Sequence, residues 1–171
     1  MKIGIALRAA DVDIRMATYL NDHLAGAVGA IELARRSLSS NRGTQFGETL
    51  TWFLAQVEED VEALRDIMSR LGVGEDRLKS AAAWTVEKAG RLKLNGQLVG
   101  YSPLSRLLEL EGLVLGVSGK IAMWRALQRA LPDDPRLAGV DFDELNDRAR
   151  EQRRRLEEIR LVSVVGALRN P

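Results

Sequence analysis

The sequence predicts an all-α protein, an elongated bundle of four to five long helices, and three observations carry that prediction. Apolar residues recur at intervals of three and four, the period of a helix, and not at the interval of two that a half-buried strand requires. Only 4 of the 171 residues are proline, so long helices are not interrupted from within. Clusters of Gly, Ser, Asn and Pro fall between the apolar stripes, where turns are needed.

A first helix is predicted over residues 13–40, preceded by a short extension at 1–12. Met16, Leu20, Leu24, Ala27, Ile31, Ala34 and Leu38 form its stripe, and Asn41, Arg42 and Gly43 end it. A second carries Leu50, Phe53, Leu54, Val57, Val61, Leu64, Met68 and Leu71, and stops at Gly72 and Gly74. A third spans residues 75–96 through Leu78, Ala81, Ala82, Thr85, Ala89 and Leu92. Ser102 as N-cap and Pro103 in the first turn start a fourth, which runs to about Leu131.

Leucines and valines cover most of that fourth helix, so it is expected at the centre of the bundle, with Gly112, Gly116 and Gly119 admitting a close neighbour. A last helix spans 141–168, with Phe142, Leu145, Ala149, Leu156 and Ile159 inward. Helices of roughly 23 to 30 residues, on the order of 35 to 45 Å at 1.5 Å per residue, pack most economically side by side as one domain over residues 1–171.

Composition narrows function. With no cysteine, disulfide frameworks, thiolate metal sites and cysteine nucleophiles are excluded. Lys and Arg number 25 against 24 Asp and Glu, a formal charge of +1, and the signs are interleaved, so no nucleic-acid partner is expected. Arg148, Arg150, Arg153, Arg154, Arg155 and Arg160 stand three or four residues from Glu151, Glu157 and Glu158, as on a solvated, salt-bridged face. The opening MKIGIALRAADVD lacks the long apolar core of an export signal, and no uncharged run is long enough to span a bilayer. A cytoplasmic protein without a membrane contact is expected.

Glycines at 26 and 29 lie mid-helix without a preceding strand, and Ser37, Ser39 and Ser40 lie at a helix end. Neither set reads as a phosphate loop or a nucleophile.

The segments YLNDHLAGAVGAIELARR (19–36), EEDVEALRDIMSRLG (58–72), AAWTVEKAGRLKLNG (82–96) and YSPLSRLLELEGLVLGVSGK (101–120) resemble an uncharacterised bacterial family of ferritin-like helical bundles. The resemblance implies the ferritin-like fold. It does not bring the di-iron ligand set, which needs a Glu-x-x-His on each of two helices, because this chain has 1 histidine and Leu20 stands three residues before it.

Three polar residues are expected to point inward: His23 between Leu20 and Ala27, Asp60 between Val57 and Leu64, and Glu111 among Leu104, Leu107, Leu108 and Leu115. A buried carboxylate needs a partner, and for Glu111 His23 or Arg91 could supply it. The three would then form either a hydrogen-bonded network that fixes helix register or a divalent-metal site of one imidazole and two carboxylates. Tyr19, one turn before His23, could hydrogen-bond it, although packing is the commoner role of an amphipathic tyrosine at a bundle edge.

The function expected from the sequence is a non-catalytic ferritin-like bundle without a di-iron centre or other cofactor, serving as a structural or protein-interaction module. The alternative is a metal or small-ligand binder built on the interior polar cluster. Trp52 is expected on the outer side of the second helix, covering a loop or the third helix or anchoring a partner. Leu161, Val162, Val164, Val165 and Leu168 leave the end of the last helix apolar all round, which calls for cover from the segment Ile3, Ile5, Ala6 and Leu7 and from a second copy in a homodimer. The closing SVVGALRNP is also similar to C-terminal tags that dock ferritin-like cargo in encapsulin shells, which would make it the contact for a protein partner.

Overall fold

The computed structural model describes the backbone of residues 3–76 and 101–169 and the side chains of residues 14–76 and 101–169. Among the described residues there are four long helices, α1 (Ile3–Ser40), α2 (Gln45–Arg70), α3 (Pro103–Ala130) and α4 (Phe142–Leu168), a single 3-10 turn at Pro135–Leu137, and no strand. The all-α class is therefore as the apolar periodicity predicted. The helix expected over residues 75–96 falls outside the described residues, except for Glu75 and Asp76, which are irregular.

Each boundary has a local cause. Thr44 caps α2 by accepting the Gly47 amide at 3.3 Å, and Gly43 before it takes a positive φ of 74° that side chains resist. Ser102 caps α3 by accepting the Ser105 amide at 3.1 Å, with Pro103 in the first turn. Asp141 caps α4 by accepting from Asp143 and Glu144. At the other end of the first helix the expected extension at 1–12 is corrected: α1 begins at Ile3. Ala6, Leu7, Arg8, Ala9 and Ala10 are strong helix formers with no proline among them, and nothing stops the helix growing backwards.

The helices form a ring. α1 packs on α2 and α3, and α4 packs on α3 and α2, while the backbones of the diagonal pairs stay apart. Side-chain pairs give the directions. Arg36 reaches Glu109 and Leu33 meets Gly112, so α1 and α3 are antiparallel. Arg160 reaches Glu111 and Gln128 reaches Asp143, so α3 and α4 are antiparallel. Arg70 at the end of α2 bonds the Ala138 carbonyl just before α4. With α1 and α2 joined by a tight turn, the order is up, down, down, up. The connection between α2 and α3 therefore joins opposite ends of the bundle: Asn21 holds Gly74 and Asp76 at one end, and Asn41 holds Tyr101 at the other.

The core between the helices is apolar, with Leu20, Leu24, Phe53, Leu64, Ile67, Leu110, Leu113, Trp124 and Leu156 among its most buried members. The sequence had placed the helix over 103–131 at the centre, and the structure corrects this. Leu104, Leu108 and Leu115 on α3 are exposed, Leu115 by 72%. Among the described residues this helix has neighbours on two sides only, which does not cover an apolar circumference all round. The glycines behave unequally. A Cβ at Gly112 would stand 3.3 Å from Leu33, as close packing predicts, one at Gly116 would stand 4.0 Å from Ala30, and one at Gly119 would meet nothing within 4 Å.

Trp52 is covered by the chain itself, with the Arg155 guanidinium 4.2 Å above its ring on the seam between α2 and α4. The arginines of α4 pair as their spacing suggested, Arg154 and Arg155 with Glu151 and Arg160 with Glu157. Leu161, Val162, Val165 and Leu168 at the end of α4 are exposed by half or more. No helix of the described residues is long and apolar enough to cross a membrane.

Candidate functional site

A cavity of about 220 Å³ opens between α1, α2 and α3. Small residues make the room: Gly26, Ala27 and Ala30 on α1 face Gly116 and Gly119 on α3. Phe53, Val57, Val61 and Leu64 of α2, with Val117, Met123 and Trp124 of α3, supply apolar walls. Four titratable side chains line it, Asp22, His23, Asp60 and Lys120. Asp22 is exposed to solvent, whereas Asp60 is only 2% exposed.

Asp60 is the centre of a buried charge cluster that ties three helices. Its Oδ1 accepts from Arg148 Nε at 2.7 Å and Nη2 at 2.5 Å, and its Oδ2 accepts from Gln152 Nε2 at 2.9 Å and from Lys120 Nζ. Lys120 also donates to the Gln152 side-chain oxygen. Four donors on one carboxylate offset the cost of burying it and leave its lone pairs engaged. Burial holds the Lys120 ammonium below the ordinary lysine value, against the pull of Asp60 in the opposite direction. The periodicity of α2 placed Asp60 inside correctly. Lys120, Arg148 and Gln152 escaped the sequence analysis, Arg148 because it was assigned to the solvated arginine face.

His23 lies at the same cavity. Its ring meets Tyr19 edge-on, with centroids 4.6 Å apart and planes at 69°, so the two make an aromatic packing contact. Burial lowers the imidazole pKa, with Asp22 partly opposing.

Glu111 does not join them. Its side chain is 42% exposed and pairs with Arg160 at 3.3 Å, across the α3–α4 seam, so the expectation of a buried Glu111 is corrected. Leucines on both sides of it in sequence signal burial only if every face of the helix is covered, and α3 has an open side. Among the described residues no group of three or more His, Asp or Glu stands together as a metal site. Of the three residues singled out from sequence, the structure thus brings His23 and Asp60 to one cavity and leaves Glu111 outside it.

The indole Nε1 of Trp124 is buried and has no hydrogen-bond partner. The Asn146 Oδ1 on α4 is likewise buried without a donor, and with almost no accessible surface neither atom faces the open space of the cavity. No family model, curated protein or solved structure matches the chain.

Proposed function

We propose that this chain is a non-catalytic helical bundle of ferritin-like arrangement that binds a small ligand between α1, α2 and α3. The up, down, down, up order with one end-to-end connection supports the ferritin-like part of this reading, since that connection distinguishes such bundles from those with short loops throughout. The observation that carries ligand binding is the cavity itself: a largely apolar chamber between three helices with Asp60 and Lys120 in its lining. An apolar cavity of about 150 Å³ accepts benzene, so this one suits a molecule of about that size or slightly larger. Asp60, with both oxygens already engaged, favours such a molecule over a divalent ion.

The test uses benzoate, benzyl alcohol and benzylamine, which share a ring and differ in head group. At least one is expected to raise Tm by several degrees at a hundredfold excess over its Kd, because binding then contributes about 2.7 kcal/mol. Gly119→Leu, whose side chain enters the cavity, should abolish that rise. Absence of a rise with all three compounds would overturn the proposal.

The exposed apolar end of α4 favours a second property, a homodimer joined through Leu161, Val165 and Leu168. Light scattering is expected to give twice the chain mass for the wild type and the chain mass for Val165→Glu. A wild type that stays monomeric at high concentration contradicts it.

A further inference from the structure

We infer that Lys120 is a reactive amine that forms an imine with a small apolar aldehyde held in the cavity. The inference rests on the ligand-binding reading above and adds to it a covalent step at one named atom, Lys120 Nζ. Three observations carry it.

The first is position. Lys120 lines the cavity together with Val57, Val61, Val117 and Met123. Its side chain keeps 11% of its surface open, whereas that of Asp60 beside it keeps 2%. An amine against an apolar chamber is poorly hydrated, which disfavours its ammonium form, and the Arg148 guanidinium on the same carboxylate adds a like charge that Glu59 at 3.6 Å moderates. Burial outweighs the opposing pull of Asp60 on the Lys120 amine.

The second is the count of hydrogen bonds. Among the described residues Nζ has two acceptors, the Asp60 Oδ2 of α2 and the Gln152 Oε1 of α4. An ammonium carries three N–H groups, so one of them has no acceptor among these residues. A free amine carries two, which both acceptors take, and its lone pair occupies the third direction. The cluster accommodates the nucleophilic form without losing a hydrogen bond.

The third is the choice of residue. Of the 25 Lys and Arg residues five are lysine: Lys2, Lys79, Lys88, Lys93 and Lys120. Lys120 is the only one of them among the residues whose side chains are described. Arginine stays protonated in proteins and cannot act as a nucleophile, whereas a buried lysine can. Arg148 demonstrates that a guanidinium pairs well with the same carboxylate. Charge pairing alone therefore does not single out a lysine here, and amine chemistry does.

The step needs no oxidant and no cofactor. Nζ gives one proton to Asp60 along their hydrogen bond and attacks the aldehyde carbon. The carbonyl oxygen leaves as water with the two remaining amine hydrogens, and the proton returns from Asp60 to the imine nitrogen. A C=N bond replaces the C=O bond, and the protonated imine carries the same single charge as the ammonium, so Asp60 keeps its partner. The ring or chain of the aldehyde lies against the apolar walls, which select by size.

The test incubates the full chain at neutral pH with benzaldehyde and cyanoborohydride, which reduces an imine to a stable secondary amine, and locates the labelled lysines by peptide mass spectrometry. Lys120 is expected to be labelled at least about tenfold faster than any of the other four lysines, because the cavity holds the aldehyde beside it. Excess benzyl alcohol should slow labelling at Lys120 and leave the others unchanged. Pyrene carboxaldehyde, too large for a cavity of about 220 Å³, should lose the preference for Lys120. Each measurement uses the unaltered chain, so the folding of a variant does not enter. Labelling of Lys120 no faster than the other lysines, or as readily by the large aldehyde as by benzaldehyde, would overturn the inference. Calorimetry with benzyl alcohol separates the two readings. Binding of the alcohol to a chain whose Lys120 resists labelling removes the amine chemistry and leaves the ligand site, whereas neither binding nor labelling removes both.

Discussion

Asp60→Ala is expected to destabilise the protein by about 3–5 kcal/mol, the range for removing one partner of a buried ion pair and leaving the other uncompensated. At about 2–4 °C per kcal/mol for a chain of this size, Tm should fall by roughly 6 to 20 °C. The loss is large because two cations depend on the one carboxylate. Lys120 and Arg148 are both largely shielded from water, and neither has another buried carboxylate within reach among the described residues. Removing a charge from each side should cost less than the separate losses combined. Asp60→Ala with Lys120→Met is therefore expected to recover part of the loss, and the coupling between the two positions is read from a double-mutant cycle by urea unfolding. A loss below about 1 kcal/mol for Asp60→Ala would show that water reaches the cluster and screens it.

Gly47→Ala should also destabilise, although alanine is ordinarily the better helix former by up to about 1 kcal/mol. A Cβ at Gly47 would stand 2.4 Å from the Asn41 carbonyl oxygen and 3.1 Å from its carbon. That backbone cannot move aside cheaply. The Asn41 oxygen accepts both the amide and the hydroxyl of Thr44, and its side chain is held by Ser37, Tyr101 and Arg106. Displacing it disturbs the turn that joins α1 to α2 and the contact that starts α3, so a net loss of about 2–3 kcal/mol is expected. Gly26→Ala supplies the matched control. Its Cβ meets nothing within 4 Å, and the same substitution there should stabilise by up to about 1 kcal/mol. Opposite signs in thermal melting support the contact; two stabilising changes would show that the turn yields.

The helices were legible because their signals are local. The stripe from Leu50 to Met68 maps onto the buried residues of α2, Ser102 and Pro103 start α3, and Gly72 takes the positive φ of 75° expected just past a helix end. The arrangement of the helices was less legible, because covering depends on neighbours. Leu115 has the same flanks in sequence as Leu113, yet one is 72% exposed and the other 1%.

The site was half visible for a similar reason. Asp60 is short and must lie where its Cα places it, whereas Lys120 and Arg148 reach the core on long apolar stems from positions near the helix flank. Periodicity does not say which of six arginines on one helix turns inward. Gln152 was the available signal: Leu145, Ala149, Gln152 and Leu156 follow one stripe, and an amide on an apolar stripe implies buried polar company. His23 was found by the same logic, since a single imidazole between Leu20 and Ala27 stands out.

The charge cluster also settles how far the molecule can be divided. The carboxylate comes from α2, one cation from α3, and the second cation with its amide from α4. Any fragment that keeps α2 and loses either later helix presents a carboxylate among Val57, Val61 and Leu64 without its full set of donors. The α1–α2 hairpin is therefore not a module that could be excised, duplicated or grafted, and neither is the α3–α4 pair, which would keep two cations and no anion. The three helices form the smallest unit in which Asp60 keeps all of its donors, and truncation of the chain within α4 before Gln152 removes that unit as a whole.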